Sequence, residues 1–453
     1  MSRLSYSTPL LNFMNEEQLK HYREDKLRKQ IMYCYRNSEL YRRKFDSIGV
    51  LPEDIKTFED FRKLPILMDK DTERESQRES LERYGHPFGM HLCAPVEKIK
   101  LTATTSGTTG VPTFTYTLSE SDLNTVAKPI ISMLNYAGIF PGDRILFAHA
   151  LGVYATSLVL WGIRQAGAIP VDVDVRAGSA MILSYVNLTK PRAAFMTPSL
   201  AEYLIDNSEK VCGKHVREFN FKALFLVGEI GVGIPEVKEK LESAYGCRVY
   251  DWIGPLGETI AHSCDAKEYH GMHAISPDFD LYPDDLVDPE TKKPLEMYNG
   301  VIGEAIYTSL EREVNPMIRF SSGDIIQVFT EECPACGFKG RRVKVVGRTD
   351  DMLIIKGANV YPAAVKNSVS KFIPEVTGEM RIVLDEKPPR VTPPLKVKLE
   401  YGENMNQNDL EHLEERIKKK LSEEVRVRPE IVWVPPHSLE KALTKTPLFE
   451  KNY

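Results

Sequence analysis

The sequence predicts an α/β protein, with a large N-terminal α/β domain on mostly parallel sheets and a small C-terminal α+β domain. Three observations carry that expectation. The chain has 453 residues, more than one ordinary hydrophobic core organises. Between residues 144 and 227, apolar segments of strand length alternate with segments of helix length, the pattern of a parallel sheet covered by helices. After residues 347–351, a strand, an amphipathic helix and another strand form a separate terminal unit.

In chain order, residues 15–48 are highly charged and read as amphipathic helix, and Pro52 and Pro65 punctuate a second helical stretch. The longest uncharged run, 145–163, is long enough to raise the question of a membrane span. It contains His149, Gly152, Tyr154, Thr156 and Ser157, which favour a buried strand, a turn and a core helix. Strands are expected at 144–150, 169–175, 193–196 and 223–227, and helices at 157–166, 181–187 and 200–207. The Asp- and Pro-rich stretch 271–294 reads as loop and edge strand, and 303–308 and 324–330 as antiparallel strands. The basic run 339–348 reads as a solvated strand face. In the terminal unit, strands are expected at 396–401 and 431–434. Between them, Leu410, Leu413, Ile417 and Leu421 lie on one face of a helix.

Composition narrows the function. Apolar residues make up 42% and charged residues 27%, as in a soluble globular protein. A net charge of −5 supports neither a nucleic-acid nor a membrane partner. Seven cysteines, an odd number, with no apolar leader after Met1, lead to an expectation of reduced thiols and a cytoplasmic protein.

The most informative stretch is 102–112, Thr-Ala-Thr-Thr-Ser-Gly-Thr-Thr-Gly-Val-Pro. Hydroxyls of Thr102, Thr104, Thr105, Ser106, Thr108 and Thr109 surround Gly107 and Gly110. Glycines let the backbone approach a phosphate closely, and hydroxyls and backbone N–H groups are neutral donors to its oxygens. This is not a Walker A loop, which carries Lys-Ser/Thr after its last glycine. Further segments follow in order: Tyr250–Glu258, Ile318–Asp324, Gly347–Asp351 and Ile355–Pro362, with Pro87–Met90 preceding the loop. Together these resemble the phenylacetate–CoA ligase branch of the adenylate-forming (acyl/aryl-CoA synthetase) superfamily, from about residue 50 to the end.

The resemblance implies a domain at 1–348 that adenylates a carboxylic acid and a mobile lid at 349–453. It implies a phosphate cradle at Thr105, Ser106, Gly107, Thr108, Thr109 and Gly110. It implies a Mg²⁺-holding Glu258 and an Asp324 that accepts from both ribose hydroxyls, a task suited to two carboxylate oxygens. Arg348 is expected at the nucleotide, Asp350 at the hinge, and Lys356 and Gly357 by the pantetheine tunnel. The catalytic lysine position falls on Lys445, with Lys441 as competitor. The chain departs from the family in carrying Val111 where a lysine is common, and Ile253 where a tyrosine is common; Trp252 is a substitute adenine-stacking aromatic.

Cys333-Pro-Ala-Cys336-Gly is a knuckle suited to tetrahedral Zn²⁺. Two further ligands are required. The segment 262–273 resembles the Cys…Gly-Leu-His segment of zinc-containing members of the branch. A structural site of Cys264, His273, Cys333 and Cys336 is therefore expected, with His270 or His262 able to replace His273. Such a site would staple an insert at about 262–337.

The expected activity is an ATP-dependent aryl- or acyl-CoA ligase that uses ATP, Mg²⁺ and CoA on a small aromatic or acyl carboxylic acid; a homodimer is left open. One alternative keeps adenylation but changes the acceptor to a carrier-protein thiol, an amine or a cofactor hydroxyl. Another is a zinc-stabilised nucleotide-binding protein without turnover.

Overall fold

A computed structural model describes residues 4–105, 112–152, 155–229, 231–254, 260–355, 358–441 and 446–453. The N-terminal region opens with helices α1 (Glu16–Asn37), α2 (Glu39–Ser47) and α3 (Phe58–Arg62), then strand β1 (Met68–Asp69) and helix α4 (Lys70–Tyr84). Asn15 caps α1 in a reciprocal box with Gln18, satisfying two backbone donors at the helix start. A hairpin follows, β2 (Leu101–Thr105) and β3 (Thr113–Leu118).

The alternating region then runs α5 (Glu120–Tyr136), β4 (Arg144–His149), α6 (Thr156–Gln165), β5 (Ile169–Asp174), α7 (Ser179–Thr189), β6 (Ala193–Met196), α8 (Pro198–Cys212), β7 (Ala223–Leu226), α9 (Pro235–Tyr245) and β8 (Arg248–Ile253). The uncharged run 145–163 is thus strand, turn and helix, as expected. Among the described residues no helix is long and apolar enough to cross a membrane. The short strands β9 (Ala261–Ser263), β10 (Met272–Ala274) and β11 (Leu286–Val287) lead into the longer β12 (Val301–Tyr307), β13 (Phe320–Phe329) and β14 (Arg342–Arg348).

One large sheet has the order β11-β12-β13-β14-β10-β9-β8-β7-β6-β4-β5. Its β8-to-β5 half is parallel. The half from β9 to β11 is antiparallel. Two cores cover the parallel half, and the strand period of two divides them. Leu146, Ala194, Leu224 and Val249 face α7, α8 and α9. Their neighbours Phe147, Phe195, Phe225 and Tyr250 face α5 and α6. Each buried phenylalanine is worth roughly 1.5–3 kcal/mol of transfer free energy. The N-terminal helices pack on the antiparallel half.

Beyond β14 come the hairpin β15 (Leu353–Ile355) and β16 (Ala358–Val360), α10 (Pro362–Ser370), β17 (Val376–Leu384), β18 (Lys396–Tyr401), α11 (Gln407–Glu424), β19 (Glu430–Val434) and β20 (Phe449–Lys451). The last four strands form their own sheet, ordered β19-β18-β17-β20. Leu413, Ile417 and Leu421 of α11 enter a separate core, on the face that the spacing of three and four selects.

Candidate active site and metal centre

Strands β13 and β14 pair with Asp324 directly opposite Arg348. Arg348 Nη1 donates to Asp324 Oδ1. Asp324 Oδ2 accepts from Tyr307 Oη at 3.1 Å and Ser322 Oγ at 2.5 Å. Burial, and then the Asp324 charge, push the Tyr307 hydroxyl well above its ordinary range, so it stays a donor. Arg348 Nη2 also donates to the Ser322 carbonyl at 2.7 Å and to Asp350 Oδ2 at 3.1 Å. Lys70 Nζ, from the first turn of α4, reaches the same Asp350 oxygen at 3.2 Å. Four charged groups therefore form a chain where β14 passes into the C-terminal unit.

Gly323 sits at the centre of this turn. Its φ is +87°, and a Cβ there would come 2.6 Å from Thr349 Oγ1. Both facts require glycine. The turn is anchored from behind by Arg319, whose Nη1 lies 2.6 Å from Asp285 Oδ2 with both side chains fully buried.

The other predicted nucleotide residues are placed as follows. Thr105 ends β2, its backbone opposite Thr113. Ser106, Gly107, Thr108, Thr109, Gly110, Glu258, Lys356, Gly357 and Lys445 lie outside the described residues, as does Tyr154. What flanks them is described. Strand β3, which follows residues 106–111, is pinned to α4: Thr115 Oγ1 donates to Glu73 Oε2 at 3.1 Å, and Phe114 N donates to Gln77 Oε1 at 3.1 Å. Glu73 is 1% exposed, and burial pushes its pKa up to about 7.

On either side of 442–445 the chain docks on α8 and the β7 exit. Lys441 Nζ lies 2.9 Å from Asp206 Oδ2. Thr446 N donates to Glu229 Oε2 at 3.2 Å, and its hydroxyl is 2.7 Å from Ser199 Oγ. Burial works against the Lys441 charge, but the Glu202 and Asp206 carboxylates more than offset it and raise its pKa. None of Lys70, Glu73, Ser199, Asp206 or Glu229 was signalled by a sequence motif.

At the carboxyl ends of the parallel strands, where open α/β sheets bind ligands, His149 stands 4.9 Å from Phe147 between ring centroids. Burial lowers its pKa to about 4, so it is neutral. Trp252 meets Phe195 edge-on at 5.7 Å. His149 Nε2 and Trp252 Nε1 are both buried without a hydrogen-bond partner among the described residues. Polar atoms of this kind, left open at strand ends, suit a ligand.

The expected metal ligands converge. Cys264 follows β9, His273 lies on β10, and Cys333 and Cys336 occupy the turn between β13 and β14; their ligand atoms all lie within 4.8 Å of one another. His273 Nε2 is 3.3 Å from Cys336 Sγ, while its Nδ1 faces the His262 carbonyl at 3.1 Å. That outer contact fixes the tautomer that leaves Nε2 free to ligate. His262 instead turns its own Nδ1 to the Ser263 carbonyl, and the His270 ring lies toward Glu268, so His273 is the imidazole of the cluster.

Known proteins share this architecture. The family model of the AMP-binding enzyme C-terminal domain matches residues 357–449. The phenylacetate-coenzyme A ligase of Thermus thermophilus is 28% identical over 448 residues, 94% of this chain and 95% of that protein. The crystal structure of 2-hydroxyisobutyryl-CoA ligase in its postadenylation state with 2-HIB-AMP aligns with a TM-score of 0.82 at 26% identity, over 97% of this chain and 90% of that one. The same ligase in its thioesterification state, with 2-HIB-AMP and CoA, gives 0.66 at 27% identity over 97% and 91%. The higher score is thus to the postadenylation structure of that ligase. The likeness, in sequence and in architecture and along nearly the whole length, is to phenylacetate–CoA ligases and to an acyl-CoA ligase of the adenylate-forming kind.

Proposed function

We propose that this chain is an ATP-dependent, AMP-forming acid–thiol ligase acting on a small aromatic or acyl carboxylic acid. The observation that carries this reading is the Asp324–Arg348 pair at the passage into a family-matched terminal unit. In the first step a carboxylate oxygen attacks the α-phosphorus of ATP; the O–P bond forms, the Pα–O bond breaks, and pyrophosphate leaves. In the second, CoA thiolate attacks the acyl carbon; C–S forms, C–O breaks, and AMP leaves.

Asp324 accepts from the ribose diol, oriented by Tyr307 and Ser322. Residues 105–110 receive the phosphates, Arg348 contacts the nucleotide, and Lys445 supplies positive charge to the reacting phosphate. Glu258 would hold Mg²⁺, which neutralises phosphate charge. His149 and Trp252 offer a neutral acceptor or donor and an indole N–H to the acid's pocket. The unit from 349 onward then rotates about Asp350 and brings Lys356 and Gly357 toward pantetheine.

Cys264, His273, Cys333 and Cys336 would hold a Zn²⁺ in a structural role, since the set offers four protein ligands. Three thiolates in the set, and seven unpaired cysteines overall, suit a reducing cytoplasmic setting.

Acid-dependent pyrophosphate exchange, followed by CoA-dependent AMP release across a panel of carboxylic acids, tests this function. Exchange without CoA-dependent AMP release transfers the reading to another acceptor. No exchange with any acid overturns it in favour of a binding protein.

A further inference from the structure

We infer that a latch on helix α8 holds the arrangement used for adenylation: Asp206 with Lys441, and Ser199 with Thr446 and Glu229. This rests on the two-step ligase reading and assigns Lys441 a positioning role rather than a catalytic one.

The latch brackets the four residues 442–445. On one side, the Lys441 side chain is only 14% exposed, and its ammonium meets Asp206 at 2.9 Å. Glu202, itself buried, stands by and is held by Lys240 at 2.8 Å. A lysine drawn this far from water and answered by carboxylates is not free to serve a phosphate. On the other side, Thr446 and Ser199 are almost fully buried and share a hydroxyl contact of 2.7 Å. One carboxylate, Glu229, accepts the backbone N–H of both, Ser199 at 2.7 Å and Thr446 at 3.2 Å.

Lys441 and Thr446 belong to the C-terminal unit, and Asp206, Ser199 and Glu229 to the N-terminal unit. Rotation of the units must part the Asp206–Lys441, Ser199–Thr446 and Glu229–Thr446 contacts together. Their presence goes with the higher score to the postadenylation structure of 2-hydroxyisobutyryl-CoA ligase. The hinge contacts among Lys70, Arg348 and Asp350 are separate from them.

The test compares half-reactions on one folded preparation. Asp206→Asn leaves Lys441 without its charge partner and should lower pyrophosphate exchange at least about tenfold, roughly 1.4 kcal/mol. Thioester formation from supplied acyl-AMP should change less than about twofold. Ser199→Ala should act in the same direction and serves if Asp206→Asn does not fold. Asp206→Lys with Lys441→Asp should recover exchange lost in Asp206→Lys alone. Equal loss in both half-reactions, or no loss in either, overturns the latch. Hydrogen exchange of the segment 438–449 needs no substrate and separates this idea from the ligase reading. Faster exchange in Asp206→Asn supports the latch even for an unidentified acid, and unchanged exchange overturns it.

Discussion

Glu73 offers the sharpest quantitative test of the site's construction. Its carboxyl lies under β3, the strand that leaves the proposed phosphate loop, and Thr115 Oγ1 donates to it. Burial raises its pKa from an ordinary 4.5 to about 7, against the opposing pull of Thr115, Arg74, Lys70 and Arg312. A carboxyl whose folded-state pKa is raised gives stability that is fully present below the unfolded value and is lost as pH rises through the folded one. Between those two values, every pH unit removes about 1.4 kcal/mol. The wild type should therefore lose up to about 3 kcal/mol between roughly pH 4.5 and 8 from this group alone. Glu73→Gln keeps the shape and the acceptor for Thr115 but does not ionise. It should match the wild type at pH 5 and exceed its stability at pH 8 by up to that amount. Urea unfolding of both proteins at the two pH values measures the difference. A gap that is the same at both pH values, or a variant weaker at pH 8, refutes the account of Glu73 as a carboxyl kept neutral by burial.

Three further outcomes follow from the site. Protein purified without added metal should carry one Zn²⁺ per chain by elemental analysis. Cys333→Ser with Cys336→Ser should abolish it and lower stability, while the folded remainder still binds ATP; zinc retained in that variant excludes the site. Lys445→Ala should depress pyrophosphate exchange about 10²–10³-fold, the worth of one oriented donor to developing charge, and spare thioester formation from acyl-AMP; a normal exchange rate would remove the assignment. Gly323→Ala forces a Cβ against Thr349 at a left-handed backbone position, so nucleotide affinity should fall at least about tenfold, measured by calorimetry, with the zinc content unchanged.

Periodicity made the scaffold legible. The strand at 396–401 and the Leu413–Leu421 face of α11 follow from spacing alone, because one buried face imposes it. Strand β17 was not legible: it is a central strand of its sheet, yet Gly378 and the buried pair Glu379–Arg381 disguise it as loop. Half of the Cys/His cluster was legible because thiols at Cys-x-x-Cys spacing are chemically distinctive, while Cys264 and His273 were read only from the family resemblance. Asp324 and Arg348 were legible as members of ordered motifs, although nothing local announces that they face each other across β13 and β14. Glu73 was not, because Lys70–Tyr84 is charged at most positions and sequence does not say which charge turns inward. Ser199, Asp206 and Glu229 meet partners more than 200 residues away, where no periodic signal reaches.

On the proposed reading, binding and rotation share one piece of backbone in this chain. Asp324 is engaged by Arg348, and Arg348 by Asp350, while Asp350 is also held by Lys70. On the proposed reading, a ribose diol donating to Asp324 competes with Arg348 for the same carboxylate. An arginine so released is available to the nucleotide and to Asp350 alone. Charge-assisted bonds of this kind are worth about 1.5–3 kcal/mol each, similar to the differential binding that biases a two-state arrangement. Gly323 and Gly347 keep the backbone close at this junction, the first against Thr349 and the second against Tyr361 of the C-terminal unit. On that reading, nucleotide occupancy is coupled to the proposed hinge through Asp324, Arg348 and Asp350, and the Asp206–Lys441 contact sets the far edge of the proposed moving unit. On the same reading, one anchorage answers the nucleotide and the other joins α8 to the chain on either side of 442–445, so the two bias one arrangement of the units from opposite ends.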